Sequence, residues 1–188
     1  MKRVLFFILL SFAFTYSQAQ FGDDHSKRFK VGTGYTRDFP GLGGIGATGE
    51  FSFAMADQFE GAIGLKRLSM QGYPRTSTVQ EYTKATTVDF NIYYLPLHTE
   101  TSIIRIGAGY AFSSYKIRRS YPVQSGTGID KQTSWPVQDS KGRTGGMNLI
   151  AEYEYMFANS NFSLGARAAW YKAYDRVTYV GPFAAVRF

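Results

Sequence analysis

The chain has 188 residues, with 21 Lys and Arg against 14 Asp and Glu for a formal net charge of +7, and its length suits one domain. The absence of Cys excludes a disulfide framework and a lipid-modified N-terminal Cys. Aromatic residues at 17%, 20 Gly and only two His point to a β protein with little material for a His-based centre.

Residues 1–19 read as a secretory signal: Lys2 and Arg3 precede the apolar run Val4 to Phe14, and Ser17 and Ala19 give a small-x-small cleavage site before Gln20. An apolar run of this length is well short of the roughly 20 residues that a membrane-spanning helix needs. Export removes Lys2 and Arg3, which leaves 19 basic residues against 14 acidic ones and a net charge of +5. An exported protein rarely meets nucleic acid, so anionic lipid headgroups are the expected counter-charge. Residues 20–27 are expected to form a short periplasmic segment, and residues 28–188 a single β-barrel domain.

From residue 28 onward the apolar pattern has period two, without sustained helical spacing. It predicts eight strands: 28–37, 44–55, 58–69, 84–96, 102–114, 143–157, 161–173 and 176–188. Each reaches or exceeds the roughly 9 to 11 residues of a tilted strand that crosses a bilayer. The connections at 56–57, 97–101 and 158–160 are short, whereas those at 70–83 and 115–142 are long. Short periplasmic turns and longer outer loops are the pattern of outer-membrane barrels, which puts both ends of the domain in the periplasm. The outer turns around Pro40 and Asp175 are short exceptions.

The alternation has a phase. Counting back from Phe188, one face carries Val186, Ala184, Pro182 and Val180, and the other Arg187, Ala185, Phe183 and Gly181. An eight-stranded barrel has an interior just wide enough for side chains to fill it. The face bearing Gly and Ala therefore belongs inside, and the large aromatics, such as Phe90, Tyr110, Phe112, Tyr153 and Phe162, face lipid. The same phase turns Lys30, Lys66, Arg105, Arg167 and Arg187 inward together with Glu50, Glu60, Asp89, Glu152 and Glu154. Equal numbers of cations and anions predict a neutralising network that plugs the lumen, because unpaired buried charge is costly. Aromatics near the strand ends, among them Phe29, Phe59, Tyr94 and Phe157 on one side and Tyr35, Phe112 and Trp170 on the other, match interfacial girdles.

This pattern over residues 28–188 resembles the small eight-stranded outer-membrane barrel proteins, the OmpX-like and OmpA-transmembrane-domain-like group. The last strand, with Phe188 as an aromatic terminal residue and apolar residues at alternate positions including Val186 and Val180, carries the resemblance most specifically. In that group such a strand is read by the barrel-assembly machinery. The resemblance implies an integral outer-membrane protein in contact with lipid and lipopolysaccharide. No peptidoglycan-binding domain follows the barrel, so that role of OmpA-like proteins is not implied. The Ser17–Gln20 region looks like cleavage regions of Bacteroidota.

Chemical motifs are scarce. Gly41, Gly43 and Gly46 fit G-x-G-x-x-G, but the β alternation that follows denies the helix that a dinucleotide site requires, so a hairpin loop is expected. Lipid A-modifying barrels use His with Ser and an acidic residue; His25 lies before the first strand and His98 in a periplasmic turn, so no enzyme is expected. No spacing suggests a metal ligand set or a cofactor. Lys116, Arg118, Arg119, Tyr121, Lys131 and Trp135 make the long loop basic and aromatic. These are candidate contacts for lipopolysaccharide phosphates or a surface partner, against the plainer reading of a solvated loop. The function expected is a non-enzymatic barrel with a non-conducting lumen that acts through loops 70–83 and 115–142, the alternative being an accessory subunit of an outer-membrane secretion or transport complex.

Overall fold

The computed structural model describes residues 27–73, 79–125 and 132–188. The region read as a signal, His25 and Lys131 lie outside them. The described residues form ten strands: β1 Lys27–Asp38, β2 Gly43–Ala56, β3 Phe59–Gly72, β4 Glu81–His98, β5 Ser102–Ser120, β6 Val123–Ser125, β7 Gln132–Ser134, β8 Val137–Met156, β9 Phe162–Lys172 and β10 Arg176–Arg187. Eight of them close into one antiparallel barrel in the order β1-β10-β9-β8-β5-β4-β3-β2, and β6 with β7 forms a separate two-stranded hairpin. Closure pairs every strand on both sides, which leaves no open edge of unsatisfied N–H and C=O groups in an apolar surrounding.

Neighbours in sequence are neighbours in the ring except at the seam, where β1 meets β10 with Arg28 opposite Arg187 and Asp38 opposite Val177. At its foot the seam is fastened by the Phe188 N–H donating to the Lys27 carbonyl at 3.1 Å. The outer β1–β2 turn is held by Asp38, whose Oδ1 accepts the N–H groups of Gly41 and Leu42 at 3.1 and 2.8 Å. Gly41 has φ 100°, where a side chain would be strained, and Gly43 and Gly46 already belong to β2. The G-x-G-x-x-G stretch is thus a hairpin.

Inward residues are buried and outward ones exposed along each strand, β4 being the plainest case: Asp89, Asn91 and Tyr93 are buried, and Val88, Phe90, Ile92 and Tyr94 are exposed. The interior contains large side chains as well as small ones. Tyr93, Tyr171, Tyr179 and Phe183 all lie inside, and glycines on facing strands make room for them. A Cβ at Gly107 would stand 2.4 Å from the Tyr93 ring, and one at Gly165 would stand 2.3 Å from the Phe183 ring. Phe183 is inward as its parity predicts, and glycine and aromatic partners share the volume of the interior.

The long loop expected at 115–142 is corrected too. β5 and β8 continue as a paired ladder from Ser114 opposite Arg143 up to Ser120 opposite Val137, and only above that does the β6–β7 hairpin begin. In the same way β3 runs to Gly72 and β4 starts at Glu81, so both ends of the 70–83 connection are strand.

Candidate functional site: the charged lumen and its outer mouth

The middle of the lumen is a chain of ion pairs. Lys30 Nζ donates to Glu50 at 3.0 Å and to Glu152 at 2.8 Å. Arg167 donates to the same two carboxylates, through Nη2 to Glu50 at 2.7 Å and through Nε to Glu152 at 2.6 Å. The Tyr93 hydroxyl donates to Glu50 at 2.9 Å and also reaches Glu152 at 3.3 Å. β1, β2, β4, β8 and β9 each contribute one of these residues, so the cluster ties opposite walls together.

Toward the end with the short β2–β3 and β8–β9 turns, Arg105 is fully buried; it donates to Glu60 at 2.8 Å and pairs with Glu154, which also accepts the Ser163 hydroxyl. Arg28 pairs with Glu60 as well. Toward the outer end, Lys66 pairs with Asp89 and lies 4.6 Å from the Tyr171 ring centroid, and Asn91 and Asn148 donate to Asp89 at 3.0 and 3.2 Å. Buried ions are tolerable only when paired and hydrogen-bonded, and these carboxylates accept two or more partners each.

Nine of the ten residues predicted for the lumen network lie within it: Lys30, Glu50, Glu60, Lys66, Asp89, Arg105, Glu152, Glu154 and Arg167. Arg187 does not. It lies half-buried at the barrel rim and donates to the Ser160 carbonyl at 3.0 Å, because one residue before the end of the barrel wall it can reach a turn. Its place is taken by Arg28, which sequence reasoning missed although it shares the parity of Lys30. Buried apolar side chains flank the ionic column, Leu95, Ile103 and Met156 toward one end and Leu42, Leu68, Met70 and Val177 toward the other.

Above the outer apolar layer is a second charged group. Arg119 Nη2 donates to Asp38 at 2.7 Å and lies 3.7 Å from Asp175, and its Nε lies 3.8 Å from Glu81. Thr83 donates to Asp38 at 3.2 Å, and the Ser120 N–H donates to Glu81 at 2.8 Å. Its side chain is only 12% exposed, so Arg119 is corrected from a loop contact to an inward residue that closes the mouth. Odd positions of β5 point inward, and β5 extends past it. Beside it the Tyr174 hydroxyl is pushed to a higher pKa, first by burial and then by Asp38 and Asp175. An open vestibule of about 650 Å³ lies over this group, lined in part by Tyr115, Tyr121, Trp135 and Tyr174.

The remaining predicted contacts separate. Lys116 and Arg118 project from the outer wall of β5, while Tyr121 and Trp135 flank the β6–β7 hairpin. Val180, Val186 and Phe188 face outward, Phe188 being 56% exposed with its ring 6.2 Å from that of Phe51. His98 is exposed as the last residue of β4. Among the described residues no group of His, Cys, Asp and Glu is arranged to hold a metal ion.

A closed ring of eight antiparallel strands with an apolar exterior and a filled, ionic interior defines the class of small outer-membrane barrels. Solved members of that class share the fold. Neisserial surface protein A matches at 11% identity and TM-score 0.58 over 88% of this chain and 98% of its own. The attachment invasion locus protein Ail of Yersinia pestis, also solved with the heparin analogue sucrose octasulfate, matches at 11% identity and TM-score 0.53 over 88% of this chain and 100% of its own. The N-terminal barrel domain of Pseudomonas aeruginosa OprF matches at 14% identity and TM-score 0.53 over the same shares. No protein-family model and no curated protein matches the sequence. Nothing in these likenesses supports the Bacteroidota origin suggested by Ser17–Gln20.

Proposed function

We propose that the chain is a non-enzymatic integral barrel of the outer membrane, closed to ions, which acts through its outer end in surface contact or envelope integrity. The observation that carries this reading is the filled lumen: ion pairs that bridge opposite walls, with Leu68, Met70 and Val177 above and Ile103 and Met156 below. An ion entering that column would have to displace paired charges that bridge the walls of a narrow eight-stranded barrel.

The exposed apolar residues on the outer face, among them Val31, Leu65, Phe90, Ile106, Leu149 and Val180, support lipid contact, since a soluble protein rarely shows so much apolar surface. The Ail structure with a sulfated sugar analogue is consistent with an outer end that meets anionic surfaces. Phe188, Val186 and Val180, outward on the closing strand, are proposed as the residues presented to the barrel-assembly machinery. The test is electrophoresis of the membrane fraction with and without boiling, then recording from the purified barrel in planar bilayers. A heat-dependent mobility and a silent bilayer are expected; a soluble periplasmic protein, or steady open-channel conductance, defeats the reading.

A further inference from the structure

Three rows of outward side chains cross β3, β4, β5 and β8 above the apolar band. The topmost apolar row is Leu65, Val88 and Phe112, ending at Gly145. Immediately above it, register places Arg67, Thr86, Ser114 and Arg143 side by side, and next Ser69, Lys84, Lys116 and Lys141. The third row is Gln71, Tyr82, Arg118 and Asp139. Strands lie about 4.8 Å apart, so Lys84, Lys116 and Lys141 stand as directly facing like charges across about 10 Å, an arrangement that destabilises a sheet unless something else supplies counter-charge.

Among the described residues these rows do not supply it. Asp139, the one carboxylate in these rows, is engaged by Arg118 through both oxygens at 2.7 and 2.9 Å. That hydrogen bonding also holds its carboxyl below the ordinary carboxylate range, with a weaker pull from Lys116, so it stays ionised and is bonded to Arg118 while Lys84 and Lys141 face no carboxylate in these rows. The Tyr82 ring gathers the cations but cannot neutralise them: Lys84 and Lys116 Nζ lie 5.8 Å and the Arg118 guanidinium 5.2 Å from its centroid. Arg67, Lys84, Lys116, Lys141 and Arg143 are all exposed.

We infer that this face of β3, β4, β5 and β8 binds the phosphate groups of a phosphorylated glycolipid in the outer leaflet, with Lys84, Lys116 and Lys141 as its central row. The position selects the partner. A row two same-face repeats above lipid-facing Leu65 and Phe112, about 13 Å along the strands, sits at headgroup depth, where a ligand with acyl chains reaches both the apolar band and the cations. This moves the polar lipid contact from the tip of the long hairpin to the barrel wall, and it rests on the membrane reading above.

The experiment uses the full mature barrel in zwitterionic detergent, checked for heat-dependent mobility, with bisphosphorylated lipid A and the same lipid stripped of phosphate as probes, read by native mass spectrometry. Wild type should retain the phosphorylated lipid, lose it as salt rises, and ignore the stripped form. Lys84→Gln/Lys116→Gln/Lys141→Gln should weaken retention about a hundredfold, while the Lys→Arg triple variant should keep it. Equal retention of both lipids, or equal retention by the folded Gln variant, overturns the inference. Binding of sucrose octasulfate without lipid A also overturns it, by assigning the face to a soluble polyanion. Should the Gln variant not fold, the salt dependence and the stripped lipid decide the matter with wild type alone. A folded, silent barrel that ignores lipid A would refute this surface and leave the membrane reading standing.

Discussion

At the scale of single residues, the lumen is decided by partners rather than by charge counts. Glu152 accepts from Lys30, Arg167 and Tyr93, so Glu152→Gln strands two buried cations on a single remaining carboxylate, Glu50. A loss of about 3 to 5 kcal/mol is expected, the cost of breaking a buried ion pair by removing one side. Arg187→Gln removes one bond to a rim carbonyl and should cost under about 1 kcal/mol. Urea unfolding in lipid vesicles, followed by tryptophan emission, checks both; equal losses would show that burial of the network means little. Parity along each strand made most of this cluster legible. Arg28 was missed because it sat at an uncertain strand start, although its parity was the same as that of Lys30.

At the scale of elements, the seam between β1 and β10 is the feature on which closure turns. The ladder there is interrupted opposite Pro182, which has no N–H to give. At this point the backbones approach closely: a Cβ at Gly181 would stand 2.2 Å from the Thr33 carbonyl oxygen and 2.4 Å from the Gly34 Cα. Gly181→Val should therefore block closure, and Phe188→Asp should weaken it by removing the Phe51 contact, so that heat-modifiable barrel yield falls in the order wild type, Phe188→Asp, Gly181→Val. Unchanged yield of Gly181→Val would mean that the seam can spread. All eight barrel strands were visible in the period-two pattern, but the outer ends of β5 and β8 were not. Between Tyr115 and Gly142 the charged and polar residues sit on both faces of the ladder, because Arg119 faces Asp38 inside while Lys116 faces outward, and alternation of polarity vanishes where both sides are polar. Glu81, Arg119 and the mouth they close were hidden for that reason.

At the scale of the whole molecule, the two ends differ in charge, and that difference should set which end faces out. Exposed Arg37, Arg67, Lys84, Lys116, Lys141, Arg143, Lys172 and Arg176 lie at the end bearing the β6–β7 hairpin, whereas the opposite end shows Asp57 and Glu100 in its turns. A hairpin end rich in cations matches an outer leaflet of phosphorylated lipid, and the short turns between β2 and β3 and between β8 and β9 match the periplasm. Because the chain contains no Cys, single cysteines report orientation without background. Val123→Cys, on the hairpin, should react with a membrane-impermeant maleimide on intact cells. Asp57→Cys and Asn159→Cys, in the short turns, should react only after the outer membrane is opened. Labelling in the reverse order would invert the barrel, and the basic wall of β3, β4, β5 and β8 would then face the wrong leaflet for the lipid assigned to it.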